Sequence, residues 1–108
     1  MTPPLDREIA SLLCVGFQGT TPSPEVLELI KRGVGAVILF SRNLERAEQV
    51  AELTGALKRA AGARPLLVSI DQEGGRVARL RAPQGFTELP PMRALGATGD
   101  EALAFEAG

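Results

Sequence analysis

Apolar and polar residues fall in blocks along this chain rather than alternating one by one. Ile9–Gly16 (IASLLCVG), Gly35–Phe40 (GAVILF) and Pro65–Ile70 (PLLVSI) are short, continuously apolar runs. A run of this kind predicts a strand covered on both faces, as in a parallel sheet. Pro65 sits at the start of the third run, where a missing N–H costs least.

Between these runs the apolar period lengthens to that of a helix. Ser23 offers an N-cap, Pro24 fits the first helical position, and Glu25 lies near the positive helix end. Val26, Leu27 and Ile30 then form an apolar stripe, and Gly33 is a stop signal. A second helix is predicted from about Glu45 to Ala61. Its apolar side carries Val50, Leu53, Thr54 and Leu57, while Glu45, Glu48, Glu52, Lys58 and Arg59 lie mostly opposite. From Asp71 to Met92 no period is visible, and loops that long in compact domains are usually functional or disordered. A last helix is expected to begin near Thr98, where Thr98-Gly99-Asp100-Glu101 matches a capping box, with Ala102, Leu103 and Phe105 on its apolar face.

The predicted order is β-α-β-α-β-loop-α, which implies an α/β fold with a parallel sheet. A doubly wound sheet and part of a barrel are both open at this point. Three strands cannot close a (β/α)8 barrel of about 250 residues. With the last helix cut off at Gly108, the preferred expectation is a single truncated domain over residues 1–108, holding about three βα units of such a barrel. Uncovered strand edges and apolar strand ends would then favour self-association.

Charge and composition remove several function classes. The net charge of −1 leaves no basic footprint for nucleic acid. The apolar runs are far below the roughly 20 residues that span a bilayer. Asp6 and Glu8 stand where a secretory signal would carry positive charge, and Leu13 is bulky where a lipid-attachment site wants a small residue. The expectation is a cytoplasmic protein, with no nucleic-acid or membrane partner. Cys14 is the only cysteine, so no internal disulfide exists, and its apolar surroundings predict a buried packing thiol. The chain has no histidine, which removes the commonest general base and zinc ligand. Asp71 and Glu73 alone make a poor metal site. No cofactor is expected.

The chemistry is concentrated in Asp71-Gln72-Glu73-Gly74-Gly75-Arg76-Val77-Ala78-Arg79. This segment follows the third predicted strand, so it emerges at the sheet edge where α/β folds place ligands. A carboxylate such as Asp71 can accept hydrogen bonds from two sugar hydroxyls, and Arg79 offers a planar fork of donors. The paired glycines permit positive φ or close approach of a ligand. They do not form a phosphate cradle, since neither GxGxxG nor a P-loop is present. Glu73 and Arg76 are read as loop-shaping residues, with a mutual salt bridge as one way they could do so; Arg81 and Arg93 are expected in solvent.

DQEGGRVARL followed by GFTELPPMRALG resembles the signature loop of glycoside hydrolase family 3, in its bacterial β-N-acetylhexosaminidase branch. GFQGT, GVGAVILFSRN and RPLLVSIDQEGG precede it in the expected order, so the resemblance runs from about Leu12 onward. It implies that Asp71 binds hydroxyls of a non-reducing N-acetylglucosamine and that Arg79 also contacts substrate. Ala78 departs from the polar residue usual before that arginine.

The resemblance further implies retaining hydrolysis through a covalent glycosyl-enzyme, with an Asp nucleophile from a late barrel loop. The acid/base would be a histidine, supported by an aspartate, on a middle loop. Neither loop is in this chain, so no catalytic residue is assigned. Asp71 and Glu73 cannot replace them, because a catalytic carboxylate pair flanks the scissile bond at about 5 Å or more. The implied ligands are N-acetylglucosamine-containing muropeptides or chitooligosaccharides. The alternatives are a non-catalytic sugar-binding remnant of the same fold and, with no phosphate fingerprint to support it, a small nucleotide-binding domain.

Overall fold

A computed structural model describes residues 4–108. It divides into two compact units, Met1–Ile70 and Asp71–Gly108. Met1–Pro3, the start of the segment weighed above as a secretory signal, lie outside the described residues.

The first unit opens with helix α1 (Pro4–Ser11), followed by β1 (Cys14–Val15), α2 (Pro24–Lys31), β2 (Ala36–Leu39), a 3-10 turn (Ser41–Asn43), α3 (Ala47–Ala60) and β3 (Leu67–Ile70). The sheet order is β1-β2-β3 with both pairings parallel, which is the α/β alternation expected. The α2 boundaries agree with the sequence reading: Ser23 caps the helix, its Oγ accepting from the Val26 N–H at 3.2 Å. Arg64 donates through Nη2 to the carbonyl of Ile30 in the last turn of the same helix, at 2.6 Å, and through Nη1 to that of Val34 just beyond it, at 2.9 Å.

Register divides the sheet into two unlike faces. Val15, Val37 and Val68 are level with one another, and Leu39 is level with Ile70. Side chains at these positions point to one side, where Val37 and Leu39 are buried together with Val26, Ile30, Val34, Leu53 and Leu57. Each such aliphatic side chain contributes about 1.5–3 kcal/mol by leaving water, so this layer is the core. The other face carries Cys14, Ala36 and Leu67 in one row and Ile38 with Ser69 in the next.

That second face corrects two expectations. The strands are not covered on both sides, since Leu67 is 72% exposed. Cys14 is exposed rather than buried. The covering layer is made by α2 and α3, which pack on each other and supply apolar stripes to one side only. Cys14 Sγ and Ser69 Oγ lie 3.9 Å apart. Side chains of β1 and β3 therefore meet over β2, and the sheet curls toward its bare face.

The predicted strand Ile9–Gly16 is also corrected, because its first part is the end of α1 and only Cys14–Val15 pair. Pro4 and Asp6 are helix-start residues, and Leu5, Ile9 and Leu12 recur at helical spacing. The end of this helix lies so close to the chain leading into β2 that a Cβ on Gly35 would collide with the Ser11 carbonyl oxygen.

The second unit holds a two-stranded antiparallel hairpin of β4 (Gln72–Gly74) and β5 (Val77–Ala78), a 3-10 turn (Ala82–Gln84), and helices α4 (Met92–Ala97) and α5 (Glu101–Ala107). The segment read as lacking regular structure thus contains a hairpin, and α4 was not anticipated. The final helix begins later than Thr98: Asp100 is its N-cap, accepting from the Leu103 N–H at 3.0 Å.

Candidate functional site

The hairpin is built around one amide. Gln72 Oε1 accepts from the backbone N–H groups of Arg79 (2.9 Å) and Leu80 (3.0 Å), and its Nε2 donates to the Leu80 carbonyl at 2.9 Å. Three partners on the returning strand fix where that strand leaves the ladder. Nothing in the sequence reading pointed to Gln72, although an amide between two carboxylates on a strand end was the available signal.

The turn depends on both glycines. Gly74 and Gly75 have φ of +82° and +61°, the positive-φ use anticipated for them. Their close neighbours are the paired prolines of the same unit. A Cβ on Gly74 would collide with the Pro90 carbonyl oxygen, and one on Gly75 would lie 2.7 Å from Pro91 Cγ. The GG and PP dipeptides of the motif are therefore complementary halves of one packed loop.

Asp71 and Arg79 occupy equivalent places on this frame. Gln72 is level with Ala78, so Asp71 and Arg79 are the next residues outward at the open end of the hairpin. Asp71 directly follows Ile70, the last residue of β3, and is exposed. Arg79 is half-buried, and its Nε is fully buried with no hydrogen-bond partner. A buried donor left unpaired costs about 1–3 kcal/mol, so this N–H calls for a partner.

Glu73 and Arg76 are both exposed, and among the described residues neither takes part in an ion pair. The salt bridge considered for them is absent, because β4 and β5 are held by Gln72 and the turn by its glycines. Arg81 and Arg93 are exposed as expected, with Arg81 Nη2 donating to the Gly75 carbonyl at 3.1 Å.

The first unit carries a second polar cluster, at the C-terminal ends of β1 and β2. Asn43 is completely buried. Its Nδ2 donates to the carbonyls of Phe17 (3.1 Å) and Gly19 (2.7 Å), and its Oδ1 accepts from the Phe40 N–H at 2.9 Å. Gln49, also buried, donates to the carbonyls of Thr20 (2.8 Å) and Asn43 (2.9 Å) and accepts from the Glu45 N–H at 2.8 Å. The bonds to Phe17, Gly19 and Thr20 hold the loop after β1 against the segment after β2, and those to Phe40, Asn43 and Glu45 brace that segment itself. Sequence reasoning did not identify either residue.

Among the described residues no group of three or more His, Cys, Asp or Glu side chains is arranged to hold a metal ion, and no helix is long and apolar enough to cross a membrane.

Residues 4–108 match the family described as the glycosyl hydrolase family 3 N terminal domain. A beta-hexosaminidase from Nitrosomonas eutropha is 47% identical over 89 residues, covering 82% of this chain and 25% of that protein. One from Xylella fastidiosa is 42% identical over 87 residues, covering 80% of this chain and 25% of its own length. This chain thus spans about a quarter of the length of these curated relatives. Among solved structures, a family 3 beta-N-acetylglucosaminidase from a Paenibacillus species matches with a TM-score of 0.88 and 43% identity, over 98% of this chain and 20% of that one. NagZ from Neisseria gonorrhoeae, in complex with N-trifluoroacetyl-D-glucosamine, matches with a TM-score of 0.70 and 33% identity, over 88% and 27% of the respective chains.

Proposed function

This chain belongs to glycoside hydrolase family 3, and on that premise we propose that it supplies substrate-binding residues of a β-N-acetylhexosaminidase. Its α/β fold is that of the N-terminal domain of these TIM-barrel enzymes. In the proposed mechanism Asp71 accepts hydrogen bonds from hydroxyls of a non-reducing N-acetylglucosamine, and Arg79 donates to the same sugar. The bare sheet face, with Cys14, Leu67 and Ser69, would line the inside of the barrel.

The observation that carries this reading is the Gln72-braced hairpin, which follows β3 directly and carries an exposed carboxylate and a half-buried arginine at its open end. Arg79 is half-buried, and with its Nε under protein atoms the Nη groups are the donors it would offer to a sugar oxygen. Hydrolysis with retention would use an Asp nucleophile and a histidine acid/base from other loops of the barrel. The substrate we propose is N-acetylglucosamine linked β-1,4 to an anhydro-muramic acid fragment, consumed in the cytoplasm during peptidoglycan recycling.

Two measurements test the reading. Titration with N-acetylglucosamine is expected to shift amide resonances of Asp71, Arg79 and Leu80, and an unmoved spectrum at millimolar sugar would count against binding here. A chromogenic N-acetylglucosaminide assayed with these 108 residues alone is expected to show no turnover. Turnover would overturn the placement of catalysis on other loops.

A further inference from the structure

Arg42 is exposed, yet its side chain is held in one place. Its Nε donates to the Phe17 carbonyl at 2.9 Å, and its Cζ lies 4.9 Å from the centroid of the Phe40 ring. Gly16 makes room for it, since a Cβ there would come within 3.1 Å of Nη2. A guanidinium both stacked and tethered loses less freedom on binding a ligand than a mobile one.

The tether uses Nε only. Among the described residues neither Nη donates a hydrogen bond, and Arg42 takes part in no ion pair. The two Nη groups are therefore free as an end-on fork, the geometry that matches a carboxylate. Gly16, Phe17 and Phe40 directly follow the C-terminal ends of β1 and β2, the sheet edge at which parallel α/β folds bind ligands.

We propose that Arg42 recognises a carboxylate on the saccharide, making the protein selective for acidic over neutral sugar ligands. The inference rests on the carbohydrate-binding reading above. A purely local role would need the Nε bond and the ring contact, but would leave the preference between acidic and neutral ligands untouched.

The test is equilibrium binding to the complete protein that carries this chain, with three uncleavable thio-linked disaccharides as probes. These are N-acetylglucosaminyl-N-acetylmuramic acid, its methyl ester, and N,N′-diacetylchitobiose. The wild type is expected to bind the acid about tenfold or more tightly than the ester, the size of one charge-assisted fork. Arg42→Gln is expected to bring that ratio to about one while keeping its affinity for diacetylchitobiose, which also reports that the variant is folded. Arg42→Lys should retain part of the preference. An acid-to-ester ratio near one in the wild type, or a ratio unchanged in Arg42→Gln, overturns the proposal while leaving the sugar-binding reading intact. If the wild type binds none of the three probes, the sugar-binding reading itself falls, and this inference with it.

Discussion

Gln72 holds Arg79 by the backbone: the N–H of Arg79 donates to Gln72 Oε1 at 2.9 Å, across the hairpin turn. The same amide side chain engages both the N–H and the carbonyl of Leu80. The arginine we propose for sugar contact therefore has its main-chain position set by a neutral neighbour, independently of its own guanidinium. Gln72→Ala would remove three bonds at once and leave two N–H groups and a carbonyl needing new partners. The expected cost is about 1–3 kcal/mol, confined to this unit. Hydrogen exchange should show faster amides at Arg79 and Leu80, with α2 and β2 unaffected; unchanged protection at those two amides would mean the bond does not brace the loop.

Asn43 is a stronger point of dependence. It is fully buried and its three hydrogen bonds reach three separate backbone groups. Asn43→Asp keeps the size but exchanges two donors for an acceptor facing the carbonyls of Phe17 and Gly19. We expect Asn43→Asp to cost more than Asn43→Ala, with the latter near 2 kcal/mol. Denaturant midpoints of the two variants decide the order, and the reverse order would show that the loop carbonyls turn away to water.

The paired glycines of the motif separate two kinds of glycine requirement. Gly62 has φ of +66° with open space where a Cβ would go, whereas Gly74 has φ of +82° and the Pro90 carbonyl in that space. Gly62→Ala should therefore cost only the conformational strain, about 1 kcal/mol. Gly74→Ala adds a steric collision with backbone and should cost more, with altered hairpin resonances. Equal thermal shifts for the two variants would contradict this packing.

How much was legible in the sequence follows from how local each determinant is. The helix Pro24–Lys31 was readable because its cap, first-turn proline and stripe all lie within it. The strand within GAVILF was readable because branched residues filled the whole run between a glycine and a polar loop. IASLLCVG failed because a short apolar run has no period to separate helix from strand, and Leu5 and Ile9 had to be counted with it to reveal α1. The one-sided burial of the sheet could not be read, since Leu67 and Val68 are equally apolar and only register tells them apart. The site divides the same way. Asp71 and Arg79, which we propose contact the sugar, were nominated by residue chemistry and motif resemblance. The roles of Gln72, Asn43 and Gln49 lie in bonds to backbone carbonyls and amides, some of them 24–29 positions away, which no local pattern encodes.

The bare face of the sheet makes a prediction about association rather than about stability. Leu67 is 72% exposed, and Leu12 and Leu13 are 84% and 52% exposed. Apolar surface of this kind drives self-association when no other part of a protein covers it. The edge strands β1 and β3 add unpaired backbone groups on either side. Leu67→Lys places a charge where the side chain makes little contact, so the melting temperature of the isolated chain should move by no more than a degree or two. Its sedimentation coefficient should fall toward that of a monomer, with the wild type sedimenting as larger species at the same concentration. If, as proposed, this face lines the barrel interior, the same substitution in the complete protein would bury a charge there and should be strongly destabilising, since an unpaired buried ammonium is among the costliest changes a core can suffer. A large loss of stability in the isolated chain, or none in the complete protein, would mean that this face is not the interior of the barrel.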